Sequence, residues 1–268
     1  MKVREALAQC GLVPVDAQVL LAHVVERDRS WIAAHRDDDL PKAHADAFFA
    51  LAKRRREGEP VAYLTGVKEF WGLPLRVTSA VLVPRPETET LVELALESIP
   101  RDAAARVLDL ATGSGAVALA IAHERPRASV IATDVSRDAL DVARGNAERL
   151  ALKNVAFVES DWWTAVEGRF DAIVSNPPYV ETGDPHLEGD VRFEPQRALV
   201  PPGDALSALR TIVTRAPAFL EPRGLLAVEH GYDQSEAVQA LMRAAGFDAI
   251  AVRRDLAGIP RVVGGRLP

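Results

Sequence analysis

The sequence predicts an α/β fold preceded by a short helical region, and three observations support this prediction. From Arg106 onward, short apolar runs alternate with amphipathic segments, which is typical of a mainly parallel sheet with helices on both faces. The first 60 residues carry apolar side chains at helical spacing. Between these regions, β-branched and aromatic residues with interspersed glycines indicate a β-hairpin.

Two segments define the helical region. "VDAQVLLAHVVERD" has Asp16 as a candidate N-cap, and "KAHADAFFALAKRRREG" is followed by Gly58 and Pro60, which stop helices. The stretch from Pro60 to Val83 predicts the hairpin. We therefore divide the chain into a helical domain at 1–60, a hairpin linker at 61–84 and an α/β domain at 85–268.

Strands and helices alternate through the α/β domain. The predicted strands are "RVLDLA", "SVIATD", "VAFVES", "FDAIVSN" and "GLLAVEHG", with "AIAVRRD" and "RVVGGRL" as a closing hairpin. The predicted helices are "ETLVELALESI", "GAVALAIAHER", "SRDALDVARGNAERLAL" with Ser136 as its cap, "SALRTIVTRAPAFL" despite Pro217, and "SEAVQALMRAAG". Residues 180–204 lack periodicity, and long irregular connections are typical of binding loops or lids.

Composition restricts the functional class. The net charge is −6, and the deficit lies entirely after residue 75, which disfavours nucleic acid as a partner. A single cysteine, Cys10, can form no intramolecular disulfide, and no apolar run is long enough to span a bilayer. We expect a cytoplasmic protein with no membrane partner. His230, Cys10 and Trp163 are expected in the core, and no cluster has metal-ligand spacing.

A glycine loop follows the first strand of the α/β domain. Gly113 and Gly115 precede a helix, and Asp134 ends the next strand. Open α/β sheets bind ligands outside the carboxyl ends of their strands. At that position Asp134 could accept hydrogen bonds from both hydroxyls of a ribose. Asp109, just before the turn, would repel a pyrophosphate but suits the ammonium group of an amino-acid-like cofactor. The loop resembles that of class I methyltransferases, which use S-adenosylmethionine.

Two features of this loop leave alternatives open. Gly113, Gly115 and Ala118 also satisfy the dinucleotide fingerprint G-x-G-x-x-G/A. An NAD-dependent oxidoreductase or a non-catalytic Rossmann-like binding module therefore remains an alternative. Ala111 stands where such methyltransferase loops normally have glycine, and alanine is tolerated there if its φ is negative.

The tetrapeptide "NPPY" ends the strand "FDAIVSN" at the same predicted sheet edge. An amide nitrogen is a poor nucleophile, because its lone pair is delocalised. The two N–H groups of such a nitrogen could donate to two acceptors in this tetrapeptide. These are the Asn176 side-chain carbonyl and a backbone carbonyl of the Asn176–Pro177 region. Pro177 and Pro178 make the turn rigid, and the Tyr179 ring offers a stacking surface. This pattern predicts methylation of a planar nitrogen, either the amine of adenine or a glutamine or asparagine amide.

Nearly end to end, the chain resembles the bacterial peptide chain release factor N5-glutamine methyltransferases. The segments that carry the resemblance are "REGEPVAYLTGVKEFWG", "VLVPRPETE", "DLATGSGAVALA", "SDWW", "VSNPPYV", "DPHLEGDVRFEPQRAL" and "EHGYDQ". The "PRPETE" and "RFEP" segments separate this family from adenine-N6 methyltransferases acting on DNA or RNA, which remain the alternative interpretation.

The resemblance implies a Rossmann-like class I methyltransferase domain behind a helical domain that docks release factors. It implies methyl transfer from S-adenosylmethionine to the N5 amide of a release-factor glutamine, with no direct nucleic-acid partner. The implied catalytic residues are Asn176, Pro177 and Tyr179, and the implied substrate-binding residues are Asn176, Pro177, Pro178 and Tyr179. The implied cofactor-binding residues are Ala111, Thr112, Gly113, Ser114, Gly115, Asp134, Trp162 and Asn176. Arg85, Glu87 and Glu194 receive no specific role.

Overall fold

The computed structural model describes residues 1–268, and its contacts divide the chain into two compact units. The first unit comprises Met1–Val67 and His186–Phe193. The second comprises Lys68–Pro185 and Glu194–Pro268. No helix in either unit is both long enough and apolar enough to cross a membrane.

Five α-helices build the first unit. They are α1 (Val3–Gln9), α2 (Pro14–Val24), α3 (Arg29–Ala34), α4 (Lys42–Arg56) and α5 (Val61–Thr65). Leu20 of α2 and Phe48 of α4 are fully buried in their shared core. The prediction of Asp16 as an N-cap is wrong, because Pro14 begins α2 one turn earlier. Asp16 instead forms an ion pair with Arg55 at 2.7 Å.

The predicted hairpin is shorter than the sequence pattern indicated. Only β1 (Val67–Phe70) and β2 (Leu73–Arg76) pair, whereas Val61–Thr65 form helix α5. The β-branched and aromatic residues of this stretch favour a strand, but Leu64 is buried in the helical core. Gly66, with φ +73°, then ends α5 in the left-handed conformation that commonly terminates helices.

A seven-stranded sheet with the order β5-β4-β3-β6-β7-β9-β8 forms the centre of the second unit. The strands are β3 (Arg106–Leu110), β4 (Ser129–Asp134), β5 (Val155–Glu159), β6 (Phe170–Ser175), β7 (Leu220–Glu229), β8 (Asp248–Arg254) and β9 (Pro260–Arg266). Strands β3 to β7 pair in parallel, and β9 pairs antiparallel with both β7 and β8. The predicted α/β fold and its closing antiparallel hairpin are confirmed.

Helices cover both faces of this sheet. They are α6 (Glu89–Ser98), α7 (Ala116–Glu124), α8 (Arg137–Arg149), α9 (Ser207–Arg215) and α10 (Ser235–Ala244). Residues 116–122 of α7 are all buried, and the apolar strand β3 is covered on both sides, as expected for a parallel sheet. Helix α9 is shorter than predicted. It ends at Arg215, and Pro217 lies in a 3₁₀ turn because proline cannot continue the α-helical hydrogen bonding.

Strands β4, β3 and β6 end together at one edge of the sheet. Leu110 pairs with Thr133 of β4 on one side and with Ser175 of β6 on the other. The Ser175 hydroxyl also donates a hydrogen bond of 2.7 Å to the Leu110 carbonyl. The order of the strands reverses between β3 and β6, and open α/β sheets bind ligands at such a point.

A buried asparagine fastens the hairpin to this edge. The Asn146 side chain accepts from the Arg76 N–H at 2.7 Å and donates to the carbonyls of Arg76 and Ser114 at 3.0 Å each. Asn146 is 1 % exposed, so its side chain relies on these protein partners. One side chain therefore joins β2, helix α8 and the glycine loop.

Replacing Asn146 with alanine should leave the Ser114 carbonyl and the part-buried N–H and carbonyl of Arg76 without these partners. A buried group left without a partner costs about 1–3 kcal/mol, so we expect Asn146→Ala to lower the unfolding free energy by about 2 kcal/mol. Thermal denaturation should show a Tm lower by roughly 4–8 °C. Glu148→Ala, an exposed change on the same helix, is the control. Equal Tm values for the two variants would contradict this role of Asn146.

Candidate active site

A cavity of about 350 Å³ opens at the shared edge of β4, β3 and β6, entirely within the second unit. Its volume lies at the lower end of the range for small-molecule sites, about 300–1,000 Å³. The predicted site residues that line it are Ala111, Thr112, Gly113, Ser114, Asp134, Trp162, Asn176 and Pro178. Most of the glycine loop and two residues of the tetrapeptide thus line one cavity, whereas Gly115, Pro177 and Tyr179 do not.

Asp134 holds the glycine loop in place. Its carboxylate accepts hydrogen bonds from the backbone N–H groups of Gly113 and Ser136, each at 2.9 Å. Burial raises the pKa of Asp134, whereas these N–H donors and the charge of Arg197 lower it. The loop is also paired to β4 by the Thr112 N–H, which donates to the Thr133 carbonyl at 2.9 Å. The backbone of the loop is therefore fixed by the strand beside it.

The glycine loop requires left-handed backbone at three positions. Gly113 has φ +56° and Gly115 has φ +85°. Ala111 has φ +59°, so the negative φ that would make alanine tolerable there is not observed. Gly115 does not line the cavity; a Cβ there would lie 3.0 Å from Leu119 and 3.2 Å from Ala143. Gly115 thus permits close packing of the turn, and Gly113 leaves its cavity side open.

Asp109 is a buried carboxyl group at the floor of the cavity. It is 1 % exposed, and its Oδ2 accepts from the Thr112 hydroxyl at 2.6 Å and from the Ala118 N–H at 3.2 Å. Burial raises its pKa to about 7, because these two donors compensate only part of the desolvation of the charge. A cation bound in the cavity beside Asp109 would stabilise its charged form.

The turn at 176–179 is tied at both ends. The Asn176 Nδ2 donates to the Thr88 hydroxyl at 3.1 Å, which leaves its Oδ1 as the acceptor end of the amide. Pro177 and Pro178 are buried, and Pro178 lines the cavity whereas Pro177 does not. The Tyr179 hydroxyl donates to Glu229 at 3.1 Å. The structure places the half-buried Tyr179 ring against the apolar core beneath β7, outside the cavity lining.

Several residues of the cavity had no predicted role. Thr88, Arg85 and Arg197 line it, together with Pro195, Ala198, Val200 and Pro202 of the long connection. The motifs "PRPETE" and "RFEPQRAL" contained all of these residues except Val200 and Pro202, but spacing alone gave no reason to place them beside the glycine loop.

Glu194 joins the two motifs. Its side chain is 1 % exposed, accepts from the Val83 N–H at 2.9 Å and forms an ion pair with Arg85. This pairing holds the start of segment 194–202 beside residues 83–85. His230, Cys10 and Trp163 are buried, as predicted.

Two family models match the chain. The model for the methyltransferase small domain matches residues 88–242, more than half of the chain, and the model for the PrmC N-terminal domain matches residues 2–66. The first match contains the glycine loop and the tetrapeptide. The second corresponds to the helices of the first unit.

Curated relatives match over nearly the whole length. The release factor glutamine methyltransferase of Xylella fastidiosa strain 9a5c is 52 % identical, covering 95 % of this chain and 93 % of the relative. The protein of the same name from Escherichia coli K12 is 46 % identical, covering 98 % and 97 %. A solved methyltransferase structure from Pyrococcus furiosus shares the fold, with a TM-score of 0.55, 19 % identity and coverage of 80 % and 96 %.

The raised pKa of Asp109 predicts how its substitution affects stability. Between its ordinary pKa near 4 and about 7, the folded protein keeps a proton on Asp109 that the unfolded chain has lost. The contribution of Asp109 to stability is therefore fully present below pH 4 and declines as pH rises to 7. Asn is neutral throughout, so Asp109→Asn should raise Tm more at pH 8 than at pH 5.

Differential scanning calorimetry of both proteins at the two pH values measures this difference. Subtraction of the wild-type curve removes the contribution of the other titrating groups. Asp102→Asn, a change at an exposed position, should shift Tm equally at both pH values. The interpretation of Asp109 fails if its variant does the same.

Proposed function

The chain belongs to the release factor glutamine methyltransferase family, and we propose that it methylates the N5 amide of a glutamine in peptide chain release factors with S-adenosylmethionine as methyl donor. The observation that supports this most directly is the shared cavity, which brings the acceptor amide of Asn176 to the glycine loop. Relatives at 46–52 % identity over almost the full length favour glutamine over the adenine-N6 alternative.

The residues of the cavity fit S-adenosylmethionine. When bound, this molecule supplies a methyl group attached to a positively charged sulfur. We assign its ribose hydroxyls to Asp134, its amino-acid end to Asp109 and the glycine loop, and its adenine to Trp162. The buried carboxyl of Asp109 suits an ammonium group, because a cation offsets the desolvation that raises its pKa. Ala111, Thr112, Gly113 and Ser114 supply the backbone around it, and Gly115 shapes their turn.

The turn at 176–179 would hold the glutamine amide. With its Nδ2 engaged by Thr88, the Asn176 side chain presents Oδ1 as an acceptor for one amide N–H. A backbone carbonyl of the Asn176–Pro177 region would accept the second. Holding both N–H bonds fixes the direction of the nitrogen lone pair, and such alignment can lower a barrier by up to about 7–11 kcal/mol. Pro178 supplies part of the cavity wall, and Tyr179 fixes the end of the turn.

The first unit supplies a candidate docking surface. We propose that the helical domain at 1–60 docks the release factor, that residues 61–84 form a linker, and that residues 85–268 form the catalytic domain. The match of residues 2–66 to the PrmC N-terminal domain supports this division. Translation termination takes place in the cytoplasm, and we propose that location, with no membrane or nucleic-acid partner.

Methyl transfer can be tested directly with labelled S-adenosylmethionine. We expect label from the methyl group to appear on a release factor, and peptide mapping by mass spectrometry to locate it on a glutamine side chain. Heat-denatured enzyme and a release factor with the modified glutamine replaced by asparagine are the controls. Label on adenine in added DNA or RNA, or on another residue type, would contradict the proposal.

Asn176→Ala should separate catalysis from cofactor binding. Removal of the acceptor oxygen should lower kcat by about 10²–10³-fold, the size of effect seen when one positioned hydrogen-bonding group is deleted from an active site. The Kd for S-adenosylmethionine, measured by titration calorimetry, should change by less than about threefold, because Asp109 and Asp134 are retained. Near-normal turnover in this variant would remove Asn176 from the acceptor role.

A further inference from the structure

We propose that Thr88 and Glu229 are positioning residues that fix the Asn176 amide with its oxygen as the acceptor for the substrate. This inference rests on the proposed function, since it concerns the same amide. Neither residue lies in the glycine loop or the tetrapeptide. Thr88 ends the 3₁₀ turn Pro86–Thr88, and Glu229 is the last residue of β7.

The direction of the hydrogen bond between Thr88 and Asn176 decides which end of the amide faces the substrate. A threonine hydroxyl carries one proton and can also accept. Thr88 accepts from the Asn176 Nδ2 at 3.1 Å, so its own proton is available for another acceptor. If that proton were donated to Asn176 instead, the amide would have to turn its oxygen to Thr88 and its NH₂ toward the substrate. An NH₂ group in that position could not accept a hydrogen bond from the N–H of the substrate.

Glu229 is the second side chain of this arrangement. It is 2 % exposed, and its Oε2 has no hydrogen-bond partner in the protein. Its contribution to the position of Asn176 comes through its hydrogen bond to Tyr179.

The same carboxylate holds the other end of the turn. Glu229 Oε1 accepts from the Tyr179 hydroxyl at 3.1 Å. Burial raises the pKa of Tyr179, and the nearby charge of Glu229 raises it further, so Tyr179 keeps its proton and donates it to Glu229. The Gln234 Nε2 donates to the Tyr179 carbonyl at 3.0 Å, and Gln234 Oε1 accepts from the Gly231 N–H at 2.9 Å. The turn therefore has little freedom to rotate.

Two substitutions at Thr88 isolate the hydroxyl. Thr88→Val keeps the shape of the side chain and removes the hydroxyl, and we expect kcat to fall at least tenfold. Thr88→Ser keeps the hydroxyl and should recover most of the turnover. Cofactor affinity should stay within about threefold for both. Thr211→Val, at an exposed position on α9, is the matched control for the loss of a threonine hydroxyl.

A double-mutant cycle distinguishes positioning from a general structural role. If Thr88 acts through Asn176, Thr88→Val should cost little further activity in the Asn176→Ala background, since the amide to be oriented is absent. An equal loss in both backgrounds would overturn the proposal. Glu229→Gln and Tyr179→Phe, assayed in the same two backgrounds, test the carboxylate separately and apply even if Thr88→Val does not fold.

A spectroscopic measurement keeps this test independent of turnover. The side-chain amide of Asn176 gives a ¹⁵N–¹H resonance pair that can be assigned by its absence in Asn176→Ala. We expect this pair to shift, and its exchange with water to accelerate, in Thr88→Val and Glu229→Gln but not in Thr211→Val. An unchanged pair would refute the positioning role whatever the activity. Absence of glutamine methylation by the wild-type protein would instead refute the proposed function.

Discussion

The site depends on the registration of three parallel strands at one edge of the sheet. Leu110 is paired on both sides, with Thr133 and with Ser175, so the residues that follow β3, β4 and β6 emerge side by side. The glycine loop directly follows β3, Asn176 directly follows β6, and Asp134 is the last residue of β4. A shift of one residue in β6 would exchange the side chains that it presents to the two faces of the sheet and also move Asn176 away from the loop. Sheet packing and catalytic geometry are thus set by the same pairing.

Buried and half-buried carboxyl groups organise the backbone around this edge. Asp134 holds the N–H of Gly113, Asp109 holds the N–H of Ala118, and Glu194 holds the N–H of Val83. Each carboxyl therefore joins two segments that are distant in sequence or cross a turn. Burying a charge is costly unless donors surround it, and Asp109 and Glu229 retain pKa values raised to about 7. These bonds hold the active-site edge rigid, but they offset only part of the free-energy cost of burying the carboxylate charges.

Local patterns sufficed to predict most of this arrangement, and tertiary packing decided the rest. Strand–helix alternation placed the glycine loop, Asp134 and Asn176 at a common edge, because parallel strands end on the same side. Residues 61–65 could not be assigned correctly, since the burial of Leu64 overrode their strand propensity. The roles of Thr88, Glu194 and Glu229 were also hidden. Their partners lie 88, 111 and 50 residues away, at Asn176, Val83 and Tyr179, and sequence spacing carries no information on such contacts.

The arrangement suits a nucleophile that is weak but needs no base. The carboxyl groups nearest the loop and the turn are already engaged: Asp109 and Asp134 accept from backbone N–H groups, and Glu229 accepts from Tyr179. Glu229 also lies outside the cavity lining, and Asp109 and Asp134 hold the glycine loop, so none of the three is placed as a base for a bound amide. What the turn offers instead is a fixed acceptor, Asn176, held by neighbours that are themselves buried. An amide nitrogen becomes acidic once it is alkylated and can lose its proton afterwards. For such a substrate the orientation of one carbonyl oxygen matters more than the supply of a base, and the hydrogen bonds around Asn176 act on that orientation.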